Sequence, residues 1–363
     1  MKLLRQVACG IAAVLTLGMG ACTSVSGTAR PYQVCLLALS GTWQDAELTD
    51  SARRGLVEAH QEYGADFTTA EADSVGAAQQ RAKSWAQGDC DLIIGMGVEL
   101  EGVIHTLAQS HPDKNFALVG SYFLDQTGQA TYLRNGRPIL FNAAEGSFLA
   151  GYLAAGMSQT GKVAAFGGLD TPHTRLYLDG FAGGISAYNA KHHRNIELLG
   201  WDKTSQTGVF TGSETDEAAV QQQTQNFIAA GADLIMPVTG VSARGAIPAA
   251  SQAGEVWLIG TDGRWVERPE AAGVFLTAVT QDAAAGVIDT VAQAISPNNR
   301  VLAYVATLAN SGVGLDPYYG VAGAVDDQFR AELDDTAKLI ISGKLWVGSP
   351  STPLPEGQPW RSN

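Results

Sequence analysis

Polar and aromatic side chains follow several short apolar runs of the sequence, on loops rich in glycine. Carboxylates there can accept hydrogen bonds from ligand hydroxyl or N–H groups, and an aromatic ring can stack on a flat ligand. The loops therefore predict a site for a small polar ligand that contains a ring. The candidate ligand-binding residues on them are Trp43, Asp45, Thr49, Gly97, Ser121, Gly240 and Asp262.

Residues for covalent, phosphate or metal chemistry lack the spacing that such chemistry needs. Gly95 and Gly97 match the first two glycines of a dinucleotide-binding loop, but the third falls at Gly102 instead of position 100. The chain has neither a Gly-x-Ser-x-Gly elbow nor a His-Glu-x-x-His motif. Among the six histidines only His173 follows a predicted strand end, so it is a further candidate for the site. We expect no catalysis, no cofactor and no metal.

The N-terminus predicts export. Lys2 and Arg5 precede an apolar run, 7–19, that is shorter than the about 20 residues of a spanning helix. The run ends in small residues before Cys22, which resembles a bacterial lipobox. We therefore expect a signal peptide over 1–21, acylation of Cys22, a tether over 22–31 and anchoring on the extracytoplasmic face of the membrane. A plain secretory signal with an incidental cysteine is the alternative.

Two cysteines remain after export, Cys35 and Cys90. Both lie at or near the starts of apolar runs, and adjacent parallel strands would bring them close. In an oxidising compartment they either form a disulfide or stay as two buried thiols. The sequence leaves both alternatives open.

The elements that must position the site alternate between short apolar runs and stretches of helical period. This βαβ repetition predicts an α/β fold with parallel sheets and helices on both faces. The predicted strands are 34–39, 67–70, 92–94, 116–119, 163–166, 196–199, 234–238, 256–259, 274–277 and 302–308. The predicted helices are 50–63, 77–86, 100–109, 174–189, 216–230, 243–253, 282–295 and 326–341. Glycines 55, 64, 88, 231 and 254 are predicted to end helices.

The order of these elements predicts two Rossmann-like lobes joined by hinge strands, with a cleft between them. We expect the N-terminal lobe over 32–147 plus about 279–306, and the C-terminal lobe over 148–278 plus about 307–350. Ligands of open α/β sheets bind at the carboxyl ends of the strands, which is where the candidate residues lie.

Length indicates how many domains the chain can form, and net charge limits the partners that it can bind. The chain has 363 residues, 45% of them hydrophobic, which is enough for about two domains. Its net charge is −13, which excludes a protein that binds nucleic acid through the phosphate backbone.

Several segments together resemble the basic membrane protein (Bmp) family of ABC-transporter substrate-binding lipoproteins. They include Glu145-Gly146-Ser147-Phe148-Leu149-Ala150-Gly151 and Asp179-Gly180-Phe181, and the resemblance covers about residues 33 to 347 in order. The other segments are 41–55, 91–95, 111–117, 167–168, 231–233, 308–315 and 340–343. The family includes purine-nucleoside receptors, and the resemblance implies the type I periplasmic-binding-protein fold with three crossovers.

Position by position, the resemblance implies ligand-binding roles for Asp45, Gly240 and Asp262. Tyr177 stands where the family has a ring-stacking Phe, and Gln281 stands where it has a lysine. The first loop departs from the family at Gln44, Glu47, Leu48 and Thr49, and Gly120 replaces an aspartate.

We therefore expect an extracytoplasmic solute-binding lipoprotein that closes two lobes over a ligand and delivers it to an ABC permease. A nucleoside or nucleobase is the first ligand class, and a flavin-like or ribosyl compound is the second. The alternative function is a surface interaction or signalling lipoprotein with a degenerate cleft.

Overall fold

The computed structural model describes residues 30–40, 47–261, 271, 273–297, 302–316 and 325–353. All the elements named below lie in one compact unit, Tyr32–Asn363. The chain begins with β1 (Gln33–Leu39), α1 (Glu47–Tyr63), β2 (Asp66–Ala72), α2 (Val75–Gln87), β3 (Leu92–Met96), α3 (Glu101–Ser110), β4 (Asn115–Val119) and β5 (Gly136–Phe141). It continues with α4 (Ala143–Met157), β6 (Lys162–Gly167), α5 (Pro172–His192), β7 (Glu197–Leu199), β8 (Trp201–Asp202), β9 (Thr207–Gly208), α6 (Glu217–Ala229) and β10 (Leu234–Val238). It then forms α7 (Ala246–Ala253), β11 (Trp257–Gly260), β12 (Phe275–Gln281), α8 (Ala284–Ile295), β13 (Tyr304–Ala306), β14 (Val313–Leu315) and α9 (Asp327–Ile341).

Two six-stranded sheets form the core. The first has the strand order β13-β5-β4-β3-β1-β2 and the second has the order β14-β12-β11-β10-β6-β7. Neighbouring strands are parallel except β12 and β14. The central strands are buried on both faces, as their continuous apolar sequences require. The predicted α/β fold class is confirmed.

The chain passes between the sheets three times. It leaves the first sheet after β5, returns after β12 by way of α8, which packs on α1, and leaves again between β13 and β14. Because each passage starts at the carboxyl end of a strand, the carboxyl ends of the two sheets flank the same three connections. We call these connections the hinge: residues 142, 282–283 and 307–312.

Helices α4 and α5 cross so closely that only glycine fits at the contact. A Cβ atom at Gly180 would lie 2.3 Å from the carbonyl oxygen of Ala144, and one at Gly184 would lie 2.0 Å from that of Phe148. A Cβ at Gly151 would lie 2.1 Å from the carbonyl oxygen of Phe181. The Gly-containing motifs at 145–151 and 179–181 therefore lock α4 against α5, which fixes the direction of α5 towards the cleft.

The structure corrects several sequence predictions. Gly55 does not end a helix: it lies inside α1, where a Cβ would be 2.6 Å from the carbonyl oxygen of Ala284, so it allows α1 to approach α8. Strands β5 and β14 and the helix α4 were not among the predicted elements. The predicted helix 243–253 begins with a 3₁₀ turn, Gly240–Gly245. Gly64, Gly231 and Gly254 do follow helix ends with positive φ.

A disulfide joins Cys35 to Cys90, with the Cα atoms 6.0 Å apart. It links Cys35 in β1 to Cys90, which lies two residues before β3. Strand β3 pairs with β1. The sequence left open a disulfide or two buried thiols, and the structure has the disulfide.

Candidate functional site

The candidate site is the cleft between the carboxyl ends of the two sheets. After β3, β6 and β10 the chain repeats one pattern, a glycine followed by an exposed aliphatic side chain. Val98 is 63% exposed, and Leu169 and Val241 are each 41% exposed. The loops thus present bare backbone at the strand ends and apolar groups at the rim, which suits a ligand with a flat or apolar body.

The wall from the first sheet contains Gly97, Gly120 and Ser121. Gly97 and Gly120 have φ of 85° and 80°, and their N–H groups donate to the carbonyls of Val119 and Ile139, at 3.0 and 2.8 Å. These bonds hold both loops against the neighbouring strand end, in a conformation that favours glycine. Ser121 is buried, and its Oγ donates to the carbonyl of Tyr122 at 3.2 Å. Burial raises the pKa of Tyr122 to about 12, so its phenol stays protonated.

The wall from the second sheet contains Gly168, Asp170 and Gly240. Asp170 accepts two hydrogen bonds from the guanidinium of Arg175, at 2.6 and 2.8 Å, and these hold the pKa of Asp170 below its usual range. Thr171 caps α5 by accepting from the N–H of Thr174, and Pro172 begins the helix. The start of α5 is thereby fixed at the edge of the cleft.

Tyr177 lies one turn into α5 and is only 2% exposed. Its hydroxyl accepts a hydrogen bond of 2.8 Å from Nε2 of Gln281, the last residue of β12 before the hinge. Its backbone carbonyl accepts from Oγ of Ser147 at 2.6 Å. The structure thus brings two of the predicted site residues together, and it connects the tyrosine to the hinge. With so little exposure, the ring of Tyr177 is a core side chain in this conformation.

His173 lies beside this pair. Its ring meets the ring of Tyr177 edge to face, with centroids 5.3 Å apart. The imidazole is accessible to solvent, but protein atoms crowd around it, and the loss of hydration lowers its pKa.

The hinge is held by hydrogen bonds between its connections. Asn142 donates its N–H to the carbonyl of Ala306 at 2.8 Å, and Asp282 donates to the carbonyl of Gly312 at 2.9 Å. Glu145 accepts from Nδ2 of Asn142 at 2.9 Å and from the N–H of Leu308 at 2.8 Å. Burial raises the pKa of Glu145, although both hydrogen bonds oppose this. Oδ1 of Asn142 is buried and has no hydrogen-bond partner in the described part of the chain.

Some predicted site residues fall elsewhere. Trp43, Asp45 and Asp262, like Cys22, lie outside the described residues. Thr49 is buried in the first turn of α1. Gly240, by contrast, lies in the wall from the second sheet, where it adopts a φ of 58° two residues after β10.

The sequence analysis missed two carboxylates at the cleft, those of Glu99 and Glu214. Oε2 of Glu99 lies 2.6 Å from the Cβ position of Gly97. Cγ of Glu214 lies 3.1 Å from the Cβ position of Gly168, and its Cβ lies 3.3 Å from that of Gly240. Glu99 could have been noticed as the acidic residue in an otherwise uncharged strand-end loop. Glu214 could not, because it precedes a helix and reaches the cleft only through the fold.

Other kinds of site find no support in the described part of the chain. Within it, no group of three or more His, Cys, Asp or Glu side chains is arranged to hold a metal ion. None of the helices described above is long and apolar enough to span a bilayer.

Comparisons with known proteins agree with this architecture. The family described as ABC transporter substrate-binding protein PnrA-like (Bmp) matches residues 32–345. Basic membrane protein A of Borreliella burgdorferi is 25% identical over 227 residues, which is 62% of this chain and 62% of that protein, a little under two thirds of its length. The ABC transporter nucleoside-binding protein BmpA of Lactococcus lactis subsp. cremoris is 23% identical over 326 residues, 84% of this chain and 86% of that protein. An ABC transporter solute-binding protein of Conexibacter woesei has a similar fold, with a TM-score of 0.68 at 23% identity over 87% of this chain and 98% of that one.

Proposed function

The chain belongs to the Bmp family of PnrA-like ABC transporter substrate-binding proteins, and we propose that it binds a small ring-containing ligand in the cleft between its lobes. A nucleoside or nucleobase is the ligand class that we propose first. This choice is supported by the similarity to the Lactococcus nucleoside-binding protein and by the glycine-lined strand ends. The ligand is passed to an ABC permease, and no bond is made or broken.

One contact carries the proposal, the hydrogen bond between Tyr177 and Gln281. It connects the start of α5, at the wall of the cleft, with the strand that enters the hinge. A ligand that packs against the start of α5 is therefore coupled to the connections about which the lobes move. Closing over the ligand shifts the population towards the closed state, because that state alone contacts the ligand from both sides.

Calorimetric titration with adenosine, guanosine and adenine tests the ligand class. We expect saturable binding of at least one of them, and we expect Asp262→Ala to weaken it about tenfold or more through loss of a charge-assisted hydrogen bond. Absence of binding by all three compounds would contradict the nucleoside proposal. It would favour the second function, a surface interaction or signalling lipoprotein whose cleft has lost its ligand.

We also propose that Cys22 is acylated and anchors the protein on the extracytoplasmic face of the membrane. The support is the lipobox-like sequence before Cys22. Cys22→Ala should release the protein from the membrane fraction, whereas Cys9→Ala should not. A Cys22→Ala variant that still sediments with membranes and carries lipid would contradict the anchor.

A further inference from the structure

A ligand with a flat ring can stack on the protein only where an aromatic ring is accessible in the cleft. Tyr177 does not meet this condition, because it is 2% exposed and its hydroxyl is bonded to Gln281. Tyr122, which follows β4, and Phe210, which forms a bridge with the last residue of β6, are half-buried. His173 is exposed. Of the aromatic side chains described at these strand ends, His173 therefore offers the most accessible ring.

His173 and Tyr177 lie on the same face of α5. They are four residues apart, which places their side chains one helical turn from each other. Their ring centroids are 5.3 Å apart, and their ring planes meet at 68°. Because α5 begins at Pro172, shortly after the carboxyl end of β6, His173 is the outer ring of the pair and Tyr177 is the inner one. The inner ring packs in the core, and the outer ring reaches solvent at the cleft.

The position of His173 is fixed before any ligand binds. Oγ1 of Thr171 accepts a hydrogen bond of 3.2 Å from the N–H of Thr174, so the backbone on both sides of His173 is held. The ring of Tyr177, itself bonded to Gln281, supports the imidazole edge to face. A ring that is already held loses little conformational entropy when a ligand packs on it. His173 is thus pre-organised for contact with a ligand.

The ring nitrogens of His173 are not used by the protein. Within the described part of the chain, neither nitrogen has a hydrogen-bond or ion-pair partner. Four other histidines do have such partners: His60, His105, His111 and His192. Loss of hydration lowers the pKa of His173, so its imidazole is neutral at pH 7 and presents one donor and one acceptor nitrogen. A neutral ring with this edge matches a neutral nucleobase, which also carries donors and acceptors in the plane of its ring.

We propose that the flat ring of the ligand stacks on the imidazole of His173, with Tyr177 as the core residue behind it. The inference rests on the proposed function and assigns the residue that contacts the ring of a nucleoside or nucleobase. The family resemblance places the stacking ring at Tyr177. Burial of Tyr177 and its bond to Gln281 transfer that role to the residue one turn nearer to the cleft.

Calorimetry with adenosine, guanosine and adenine tests this inference, and the variants are compared with the compound that binds the wild-type protein most tightly. His173→Ala should weaken its binding about tenfold or more, because the variant removes the stacked ring. His173→Phe keeps an aromatic ring and should retain most of the affinity. His173→Asn keeps a polar group but has no ring, so it should lose as much affinity as the alanine variant.

The matched control is His193→Asn, at the opposite end of α5. His193 is also exposed, and asparagine tolerates its left-handed backbone, which has a φ of 51°. This variant should bind the compound as the wild type does. Because His173 is exposed, its three variants should melt close to the wild-type temperature, so a loss of affinity will not result from unfolding.

NMR gives a readout that a purely structural role would not change. The imidazole C–H signals of His173 are identified by their absence from the spectrum of His173→Phe. At saturation with the same compound these signals should shift upfield, because a purine ring stacked on the imidazole shields its protons.

The remaining outcomes separate this inference from the proposed function. If His173→Ala binds the compound as tightly as the wild type does, the proposed function stands and His173 is not the stacking residue. If His173→Asn keeps the affinity and His173→Phe loses it, the contact is a hydrogen bond and stacking is wrong. If none of the three compounds binds the wild-type protein, both the nucleoside proposal and this inference are wrong.

Discussion

The carboxylates of the hinge are bonded to other protein groups, whereas two carboxylates of the cleft are bonded to none of the described residues. At the hinge, Glu145 accepts from Asn142 and Leu308, and Asp282 pairs with Arg54 and accepts from the N–H of Ala284 at 2.7 Å. In the cleft, Glu99 and Glu214 are exposed, and neither has a hydrogen-bond or ion-pair partner among the described residues. A buried carboxylate that accepts hydrogen bonds contributes to the stability of the fold, whereas an exposed one stays hydrated and contributes little. The difference therefore separates carboxylates that hold the hinge from carboxylates that the cleft leaves exposed to solvent.

Tyr177 lies between these two regions and gives the largest expected effect. Because the ring is 2% exposed, Tyr177→Ala should lower the free energy of unfolding by about 3–5 kcal/mol, as the loss of a buried aromatic ring does. Tyr177→Phe keeps the ring and loses the hydrogen bond to Gln281, so it should cost less than the alanine variant, with about 0.5–1.5 kcal/mol from that bond. Urea denaturation of both variants measures this. An alanine variant as stable as the wild type would mean that the ring is not part of the core.

The burial of Tyr177 illustrates the limit of the sequence analysis. The fold class followed from hydrophobic periodicity, since β1, β3, β4, β6 and β10 are continuous apolar runs. Periodicity also favoured a strand-end site, but it could not indicate that Tyr177 would face the hinge. That orientation depends on the close crossing of α4 and α5 through Gly180 and Gly184, which is a tertiary contact. Gly55 was misassigned for the same reason, because its role appears only when α8 packs on α1.

Glu145 tests the hinge side of the comparison. Glu145→Ala should lower the free energy of unfolding by about 1–3 kcal/mol, because it leaves the N–H of Leu308 and the amide of Asn142 without their acceptor. Glu255→Ala is the control and should have little effect, since Glu255 is exposed. Chemical denaturation of both variants checks the difference. Equal stability of the two variants would show that the hinge does not depend on this carboxylate.

Thr239, which lies between β10 and Gly240, tests the cleft side of the comparison. Thr239→Val replaces a buried hydroxyl that has no hydrogen-bond partner among the described residues, so the empty protein should be as stable as the wild type or more stable by up to about 1 kcal/mol. Ser242→Ala is the matched control: it removes a buried hydroxyl that donates to the carbonyl of Thr239 at 2.8 Å, and should cost about 0.5–1.5 kcal/mol. Thermal melts that rank the two variants in the opposite order would contradict the account.

The smallest expected effect concerns pH. The pKa of Glu214 is raised in the folded protein, so its favourable contribution is complete below the unfolded value of about 4.5 and is lost as the pH rises through the folded value. Because Glu214 is exposed and its charge is screened by solvent, Glu214→Gln should stabilise the empty protein by at most about 0.5 kcal/mol at neutral pH, and this gain should vanish on acidification below the unfolded pKa. Melting curves of both proteins across this range measure it. A gain that is constant with pH would show that repulsion of the ionised carboxylate is not its cause.

Closure over a ligand is the central claim, and small-angle X-ray scattering tests it most directly. The radius of gyration is measured for the empty protein and at saturation with the adenosine-type probe that binds most tightly in calorimetry. We predict a smaller radius of gyration in the saturated sample, because the lobes move together about the three connections. Identical scattering profiles at demonstrated saturation would contradict the claim.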